Sequence, residues 1–232
     1  MHYDHMLPAL FLERPNRFIA YADINGTKVK CHVKNTGRCR ELLLPGTQIF
    51  LQHHPDAAAL GRKTEYSLIT VSKQTSHGLK LINMDSQAPN EAAWEWLSRR
   101  PDITDVRREV RYQSSRFDLA FSYQGRPAFM EIKGVTLEEN GVARFPDAPT
   151  ERGIKHLQEL EHAAKEGYLA CAMFVIAMKG IHQFEPNRKT HPQFGDALCH
   201  AAAHGVHILA YDCIVTPDSL SVHQPVPVVL QT

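Results

Sequence analysis

The sequence predicts two domains of different class, a small β domain over residues 1–82 and an α/β domain with a mixed sheet over residues 83–232. Short strand-like runs separated by turn residues fill the first part, whereas helical periodicity alternates with strands in the second. The charge also changes sign. The first part carries 11 Lys/Arg and 6 Asp/Glu, and the second carries 15 and 19, which gives net charges of +5 and −4 within the total of +1.

The composition excludes several classes of protein. A chain of 232 residues with 43% hydrophobic and 22% charged residues is neither disordered nor collagen-like. Its longest apolar run, residues 169–178, is short of the roughly 18 residues of a membrane span, so we expect no membrane association. The N-terminus lacks the basic start of a signal peptide. Five cysteines without a C-x-x-C pair predict reduced thiols and a cytoplasmic location.

Five short strands are predicted in the first domain. Asn25-Gly26 predicts a hairpin turn because both positions of such a turn adopt positive φ, and Pro45-Gly46 and Gly78 mark later turns. This spacing is typical of a small barrel or sandwich, and we favour a five-stranded OB-like β-barrel. The five runs are RFIAYADI, TKVKCHV, TQIFLQ, YSLITVS and LKLI.

The densest basic stretch of the chain, residues 26–40, lies in this domain and contains no acidic residue. Cations in such a stretch attract a phosphate backbone because each neutralised phosphate releases counterions. The alternative is a solvated strand face followed by a basic loop. The cations are Lys28, Lys30, Lys34, Arg38 and Arg40.

The second domain is predicted to follow the order α-β-β-β-α-β-α-β, which indicates a mixed sheet covered by helices. Asn90 is the predicted N-cap of the first helix, and Thr150 is that of the second. The second helix has an apolar stripe of Ile154, Leu157, Leu160 and Ala164. The tail from residue 216 is predicted as an edge or surface segment. The remaining runs are REVRY, SRFDLAFSY, PAFMEIKGV, ACAMFVIAM, HPQFGDALCHAAAHG and VHILAYD.

The middle hairpin of this domain carries the candidate chemistry. A turn at Gln124-Gly125 sets a register in which Asp118 lies opposite Glu131, and Lys133 points to the same face. Two opposed carboxylates repel each other unless a cation lies between them. The opposite face is predicted to be buried because its residues are apolar: Phe117, Leu119, Phe121, Met130 and Ile132.

The alternative for these acids is a solvated sheet face on which Arg116 or Lys133 neutralises them. Two further observations favour a site. Glu95 lies on the preceding helix and can reach the same face, and the following helix has a polar side away from its apolar stripe. This combination suits phosphodiester hydrolysis, because the acids can bind a metal, the lysine can offset developing charge and the basic helix face can bind phosphate. The polar side comprises Arg152, Lys155, His156 and Glu159.

Long segments of this chain resemble the SfsA family of bacterial sugar fermentation stimulation proteins, in order and over nearly the whole length. The resemblance departs from the expected pattern in the stretch His32–Cys39, which adds charge, and at Asn83-Met84. The matching segments are RFIAYADI, CHVKNTGRCREL, LPG, GRKTEYSL, INMDSQAPNEAAWEWL, REVRY, FDLAF and MEIKGVTLEENGVARFPDAPTERGIKHLQEL.

The resemblance implies an OB-like domain followed by a PD-(D/E)xK restriction-endonuclease-like domain, DNA binding, and a link to sugar (maltose) utilisation. It implies that Glu95, Asp118 and Glu131 hold Mg²⁺ or Mn²⁺ and act in catalysis with Lys133. Weak sequence specificity is expected, because no helix-turn-helix or zinc-finger spacing is present. The DNA-binding candidates are Lys28, Lys30, Lys34, Asn35, Arg38, Arg40, Arg62, Lys63, Arg152, Lys155 and His156.

Two functions follow from these observations. The first is a Mg²⁺- or Mn²⁺-dependent nuclease, and the alternative is a non-catalytic DNA-binding regulator that retains the nuclease fold. The oligomeric state stays open, a homodimer included. A weaker hypothesis is a zinc site on His200 and His204, with Cys199 and His207 nearby, although such pairs arise by chance among 14 histidines.

Overall fold

The computed structural model describes residues 1–35, 37, 39–75, 78–113 and 115–231. Arg38, one of the predicted DNA-binding residues, lies outside them. The chain divides into two compact units. Unit 1 comprises Met1–Ala88, Ala177–Lys179 and Cys213–Ser221, and unit 2 comprises Pro89–Ile176, Gly180–Asp212 and Val222–Thr232. Unit 1 thus extends past the predicted boundary at residue 82 and takes in two short segments from later in the chain.

Five of the six described strands of unit 1 form a closed ring in the order β1-β2-β3-β5-β4. Antiparallel pairing joins β4 to β1, and parallel pairing of β3 with β5 closes the ring. This ring confirms the predicted OB-like barrel of five strands. The strands are β1 (Met6–Asn16), β2 (Ile19–Ile24), β3 (Thr27–Val33), β4 (Gln48–His53), β5 (Tyr66–Thr75) and β6 (Gly78–Asn83).

The prediction of which strands form the barrel was wrong for two strands. Strand β1 belongs to the ring but was not predicted, and β6, the predicted fifth strand, instead extends β5 as a hairpin. The sequence hides β1 because Pro8, near its start, has no N–H to donate. Register shifts at Phe11 and Glu13 also interrupt the alternation of side chains along this strand.

The predicted β2–β3 turn is confirmed. Asn25 and Gly26 both have positive φ, and Ile24 pairs with Thr27 across them. The barrel interior is filled from alternate positions of the strands, as period-two alternation requires. Its fully buried side chains include Ile49, Leu51 and Leu68.

Unit 2 contains a six-stranded mixed sheet in the order β15-β14-β12-β9-β8-β7, and a small sheet in the order β10-β11-β13. Strands β9, β12 and β14 are parallel, whereas β7 and β8 are antiparallel to their neighbours. The elements are α1 (Ala88–Ser98), β7 (Ile103–Tyr112), β8 (Ser115–Tyr123), β9 (Arg126–Val135), β10 (Leu137–Glu139), β11 (Val142–Phe145), α2 (Glu151–Lys165), β12 (Leu169–Ile176), β13 (Gln183–Pro186), α3 (Pro192–Ala203), β14 (Val206–Thr216) and β15 (Ser219–Pro225).

The predicted α/β domain with a mixed sheet is confirmed, and the tail forms the edge strand β15. Helix α2 connects the central strands β9 and β12, which run parallel and therefore need a crossover. The cap of α2 is also confirmed, because Thr150 Oγ1 accepts a hydrogen bond from Gly153 N at 3.0 Å.

The buried face of α2 differs from its predicted apolar stripe. Leu157 and Leu160 are buried as expected, whereas Ile154 and Ala164 are only half-buried. Gly153 brings the start of the helix close to its neighbours: a Cβ added there would lie 3.1 Å from the Phe194 ring of α3. The buried face of the helix also includes the polar side chains of His156 and Glu161.

Strand β7 forms the other edge of the large sheet. Most of its side chains are exposed or half-buried, and its pairing with β8 shifts register between Thr104 and Arg107. Asp105 and Glu109 have positive φ, at 55° and 53°. The edge strand is therefore irregular as well as charged.

All five cysteines are among the described residues, and each is a free thiol, as expected from their number and spacing. Four of them are buried: Cys31, Cys39, Cys171 and Cys213. Among the described helices, none combines the length and the apolar character needed to cross a membrane.

Candidate active site

The β8–β9 hairpin of unit 2 has the predicted register. Gln124 and Gly125 form the turn with positive φ, and five residue pairs follow it up to Leu119 opposite Met130. The paired ladder ends there, one residue before Asp118. Beyond this point a side chain supplies the hydrogen-bond acceptor: Asp118 Oδ2 accepts a hydrogen bond from Ile132 N at 2.7 Å. A backbone amide thus fixes Asp118 beside Glu131.

A second hydrogen bond to Asp118 comes from α1, where Asn90 Nδ2 donates to Oδ1 at 2.8 Å. The prediction of Asn90 as an N-cap was wrong. The helix begins at Ala88, so Asn90 lies inside its first turn and its amide reaches the sheet. Sequence reasoning missed this contact, because Asn near a helix start is most simply explained as a cap.

Glu131 is almost fully buried, with 4% of its surface exposed. Its Oε1 accepts a hydrogen bond from Lys133 Nζ at 2.6 Å and also contacts His156 Nδ1. Its other oxygen, Oε2, is buried and has no hydrogen-bond partner among the described residues. A buried carboxylate oxygen without a partner is costly, which makes Oε2 the natural position for a ligand to a cation.

The face of the hairpin that carries Glu131 was expected to be open to solvent, and this expectation was wrong. His156 of α2, which was predicted to lie on the exposed side of its helix, is 9% exposed and covers Glu131. Both faces of the strand are therefore buried. The predicted burial of the apolar face is confirmed for Phe117, Leu119, Phe121, Met130 and Ile132.

The tautomer of His156 follows from its neighbours. Arg152 Nε can only donate, and it lies 3.2 Å from His156 Nε2, so Nε2 accepts and Nδ1 carries the proton. Lys133 Nζ, also only a donor, lies 3.2 Å from Nδ1 and therefore makes no hydrogen bond with it in this tautomer. That proton is directed at Glu131 Oε1. Arg152, His156 and Glu131 therefore form a chain of hydrogen bonds from the exposed surface of α2 to the buried carboxylate.

The two carboxylates have pKa values shifted in opposite directions. Burial raises the pKa of Asp118, and the nearby charge of Glu131 raises it further. The hydrogen bond from Ile132 N lowers this pKa but does not outweigh the other two effects. Burial also opposes ionisation of Glu131, but His156 and Lys133 outweigh it and lower the pKa of this carboxyl. Glu131 is therefore the more firmly ionised of the two.

The structure brings Asp118, Glu131, Lys133 and His156 together with Arg152, as the sequence predicted for the first three. Lys155, on the same helix as His156, is exposed, and its Nζ lies 3.6 Å from Glu159 Oε1. Glu95 lies on α1, and its carboxylate is 3.7 Å from Arg99. Its part in the site stays a prediction.

The cations in the basic stretch of unit 1 do not come together around one group. Lys28 lies on β3 and pairs with Glu13 at 2.8 Å, and both side chains are more than half exposed. Lys34 is directed inward and pairs with the buried Asp85 at 2.6 Å. The Asn35 side chain accepts a hydrogen bond from Gly37 N and shapes the loop. Lys30, Arg40 and Lys63 are exposed.

Arg62, a predicted DNA-binding residue, lies beside Ser67 on β5 together with His54, which sequence reasoning missed. Arg62 Nη2 donates to Ser67 Oγ at 3.0 Å, and His54 Nε2 lies 3.0 Å from the same oxygen. Burial lowers the pKa of His54 and of His32, and the charges of Arg62 and Lys34 lower both further. These histidines lie in a locally positive field that disfavours their protonation.

Two family models match the chain. The model described as "SfsA N-terminal OB domain" matches residues 12–82, and the one described as "Sugar fermentation stimulation protein RE domain" matches residues 87–219. A "Sugar fermentation stimulation protein homolog" of Clostridium beijerinckii is 48% identical over 233 residues, covering 99% of this chain and 100% of the relative. Another, from Desulfitobacterium hafniense, is 53% identical over 222 residues, covering 95% of this chain and 94% of the relative.

Among solved structures, that of Pyrococcus furiosus SfsA in complex with Ca²⁺ is similar to this chain, with a TM-score of 0.83 and 26% sequence identity. The similarity covers 99% of this chain and 98% of that one. The matched OB domain corresponds to the barrel of unit 1, and the second matched domain corresponds to the helices and mixed sheet of unit 2. The chain therefore belongs to the SfsA family, the family of the sugar fermentation stimulation proteins.

Proposed function

We propose that this protein is a divalent-metal-dependent nuclease that hydrolyses phosphodiester bonds of DNA, with its active site in unit 2. The domain would be of the PD-(D/E)xK type. The observation that carries the proposal is the arrangement of Asp118, Glu131 and Lys133, in which Glu131 keeps a buried oxygen without a partner among the described residues.

The donor set suits a hard cation such as Mg²⁺ or Mn²⁺. Such ions take carboxylate oxygens and retain waters, and Asp118 and Glu131 offer carboxylates on neighbouring strands. Glu95 is a further candidate ligand on α1. The related structure of Pyrococcus furiosus SfsA contains Ca²⁺, another cation that prefers oxygen ligands, and this supports the assignment.

A bound divalent ion would supply charge neutralisation at the phosphate and lower the pKa of a coordinated water. The residues of the chain have separate tasks. Asn90 and the Ile132 amide hold the carboxylate of Asp118, and His156 holds that of Glu131. Lys133 Nζ donates to Glu131 and would orient the attacking water or offset negative charge that develops on the phosphate.

Exposed cations support DNA as the substrate. On α2, Lys155 and Arg152 lie within a turn of His156 and present charge to solvent. In unit 1, Lys30, Arg40 and Lys63 are exposed and can contribute salt-dependent affinity for a phosphate backbone. Contacts of this kind position a nucleic acid without reading its sequence.

The proposal is tested by a cleavage assay on single-stranded, duplex and branched DNA with Mg²⁺ or Mn²⁺. Wild type is compared with Asp118→Asn and Glu131→Gln, and with Asp196→Asn as a control on an exposed carboxylate of the same unit. We expect cleavage by wild type and the control only. Cleavage that survives both active-site substitutions would contradict the proposal. DNA binding that persists in EDTA without cleavage of any substrate would favour the regulator of sugar utilisation genes instead.

A further inference from the structure

Helices α2 and α3 bring together three potential metal ligands, none of which belongs to the proposed nuclease site. Glu161 comes from α2, His200 comes from α3, and His204 is the C-cap residue of α3. One ligand atom of each lies within 4.8 Å of those of the other two. The two histidines are four residues apart, so they lie one turn apart on the same helix face.

The Glu161 carboxylate is held in a fixed orientation. Its side chain is 10% exposed, Lys165 Nζ binds Oε1 at 2.6 Å, and His200 Nδ1 lies 2.9 Å from Oε2. The oxygen that remains beside the histidines is Oε2.

The tautomer of His204 leaves one nitrogen free for a metal. His204 Nδ1 lies 2.7 Å from the backbone oxygen of His200, which can only accept, so Nδ1 carries the proton. Nε2 then keeps its lone pair. A ring N–H that donates to a backbone carbonyl is the usual way in which proteins orient a histidine that binds a metal. The two imidazole rings are nearly parallel, with centroids 4.0 Å apart.

The neighbours expected from the sequence do not belong to this cluster. Cys199 Sγ lies 3.4 Å from both Arg188 Nη2 and the backbone oxygen of Leu230. His207 lies on β14 and is exposed. The third ligand is therefore the carboxylate of Glu161, which no local sequence pattern indicated because it lies 39 residues before His200.

We propose that Glu161, His200 and His204 bind one divalent transition-metal ion, with Zn²⁺ as the best match. Two imidazoles and one carboxylate are common ligands of Zn²⁺, and they suit it better than Mg²⁺ or Ca²⁺, which prefer oxygen alone. Ligand atoms of a tetrahedral Zn²⁺ lie roughly 3.5 Å apart. Because the candidate ligand atoms already lie within 4.8 Å of one another, small rotations of the exposed imidazoles are enough to bind the ion. The ion would join α2 to α3 within unit 2.

The test measures Zn²⁺ affinity by calorimetry, and the visible absorption of Co²⁺ as a substitute ion, on the untagged full-length chain. The background carries Asp118→Asn and Glu131→Gln, so that ions at the proposed nuclease site do not contribute. Into this background we introduce His200→Asn or His204→Asn, both at exposed positions. His207→Asn, an exposed histidine outside the cluster, is the matched control.

We expect one Zn²⁺ per chain in the background protein and in the control. Each cluster substitution should weaken binding by at least about 10-fold, which is the lower range for substitutions around metal ligands. The Co²⁺ bands should disappear with the binding. Zn²⁺ affinity that is unchanged by His204→Asn, or the absence of Zn²⁺ binding in the background protein, would overturn the inference. The proposed nuclease site is unaffected by either outcome, since the wild-type protein tests it with Mg²⁺.

Discussion

The active-site cluster of unit 2 concentrates opposite charges in a buried space, whereas the basic stretch of unit 1 spreads its cations over strands and loops. In unit 2, Glu131 shares one oxygen between Lys133 and His156, so each group depends on the others. In unit 1, Lys28 and Lys34 pair with separate acids, Glu13 and Asp85. Because burial strengthens electrostatic coupling, we expect substitutions in the cluster to have large and linked effects and substitutions on the surface to have small, independent ones.

The largest effect is expected for Glu131→Gln measured without metal. This substitution removes the charge shared by Lys133 and His156, and it should lower the free energy of unfolding by about 3 kcal/mol. Glu139→Gln is the control, because Glu139 is an exposed partner of Arg144, and it should change stability by less than about 0.5 kcal/mol. Urea denaturation of both variants measures the difference. Equal effects would contradict the coupling described for the cluster.

The pH dependence of the Glu131 contribution has a definite sign. A carboxyl whose pKa is lower in the folded protein stabilises it above the unfolded value, and that contribution is lost as the pH falls through the folded value. Asp118 acts in the opposite direction, because its raised pKa means that its ionisation costs stability as the pH rises. Asp118→Asn should therefore increase stability at neutral pH without metal, since Asn90 can turn its amide to accept from the new side chain.

The next largest effect is expected for Lys34, and it tests whether Lys34 and Asp85 form a buried ion pair in unit 1. Lys34→Met leaves Asp85 without its ammonium partner, although Tyr3 and the Gln87 amide still donate to this carboxylate. The free energy of unfolding should fall by about 2 kcal/mol. Lys28→Met, the matched variant at an exposed pair, should cost less than about 0.5 kcal/mol. A comparison of thermal unfolding profiles would show whether Lys34 behaves as a core residue or as a surface residue.

Asn90→Ala is expected to weaken Mg²⁺ or Mn²⁺ binding by about 10-fold. Asn90 is not a proposed ligand but donates to Asp118 Oδ1, so its loss should lower metal affinity and leave the fold intact. Calorimetric titration with Mn²⁺ measures this change. Glu91→Ala, a neighbouring helix position that pairs with Arg108, is the control and should keep the affinity of wild type. An unchanged Mn²⁺ affinity of the Asn90→Ala variant would show that Asn90 does not support the metal site.

Metal affinity should fall on acidification at a higher pH than an ordinary aspartate would allow. A proton competes with the ion for Asp118, and the raised pKa of this carboxyl moves that competition above the usual value of about 3.9. Glu131 stays ionised through this range because its pKa is lowered. Mn²⁺ titrations over a pH series measure the dependence. A midpoint at the ordinary value of aspartate would contradict the assigned role of Asp118.

The smallest effects are expected for the exposed cations of unit 1. Single substitutions Lys30→Ala, Arg40→Ala and Lys63→Ala should each reduce the salt dependence of DNA binding by about one unit of slope. Lys28→Ala should reduce it less, because Glu13 already neutralises this ammonium. Fluorescence anisotropy with labelled duplex DNA at several salt concentrations measures the slopes. Identical slopes in all four variants and wild type would show that this surface does not contact DNA.

Local patterns in the sequence were sufficient for features that depend on neighbouring residues. The turn at Gln124-Gly125 set the register of the β8–β9 hairpin, and Thr150 was identified as the cap of α2. These predictions succeeded because turn and cap conformations depend on residues only a few positions apart. The placement of Asp118 beside Glu131 followed from the same register.

Features that depend on what covers a surface could not be predicted in this way. His156 lies among charged residues in the sequence, and only the packing of α2 on β9 shows that it is buried against Glu131. The Asn90–Asp118 contact joins residues 28 positions apart and depends on where α1 begins. Strand β1 was missed because Pro8 and its register shifts disguise the alternation that identifies a strand.

The irregular strand β7 has a consequence for how copies of this protein meet. An exposed, regular edge strand invites another chain to add to the sheet, and the resulting stack can grow without limit. Here Asp105 and Glu109 bend the backbone with positive φ, and Arg107 and Arg111 carry positive charge along the edge. The bent backbone interrupts the regular row of N–H and C=O groups that a second copy would need for pairing. We therefore expect this edge to resist the addition of a strand from a second copy.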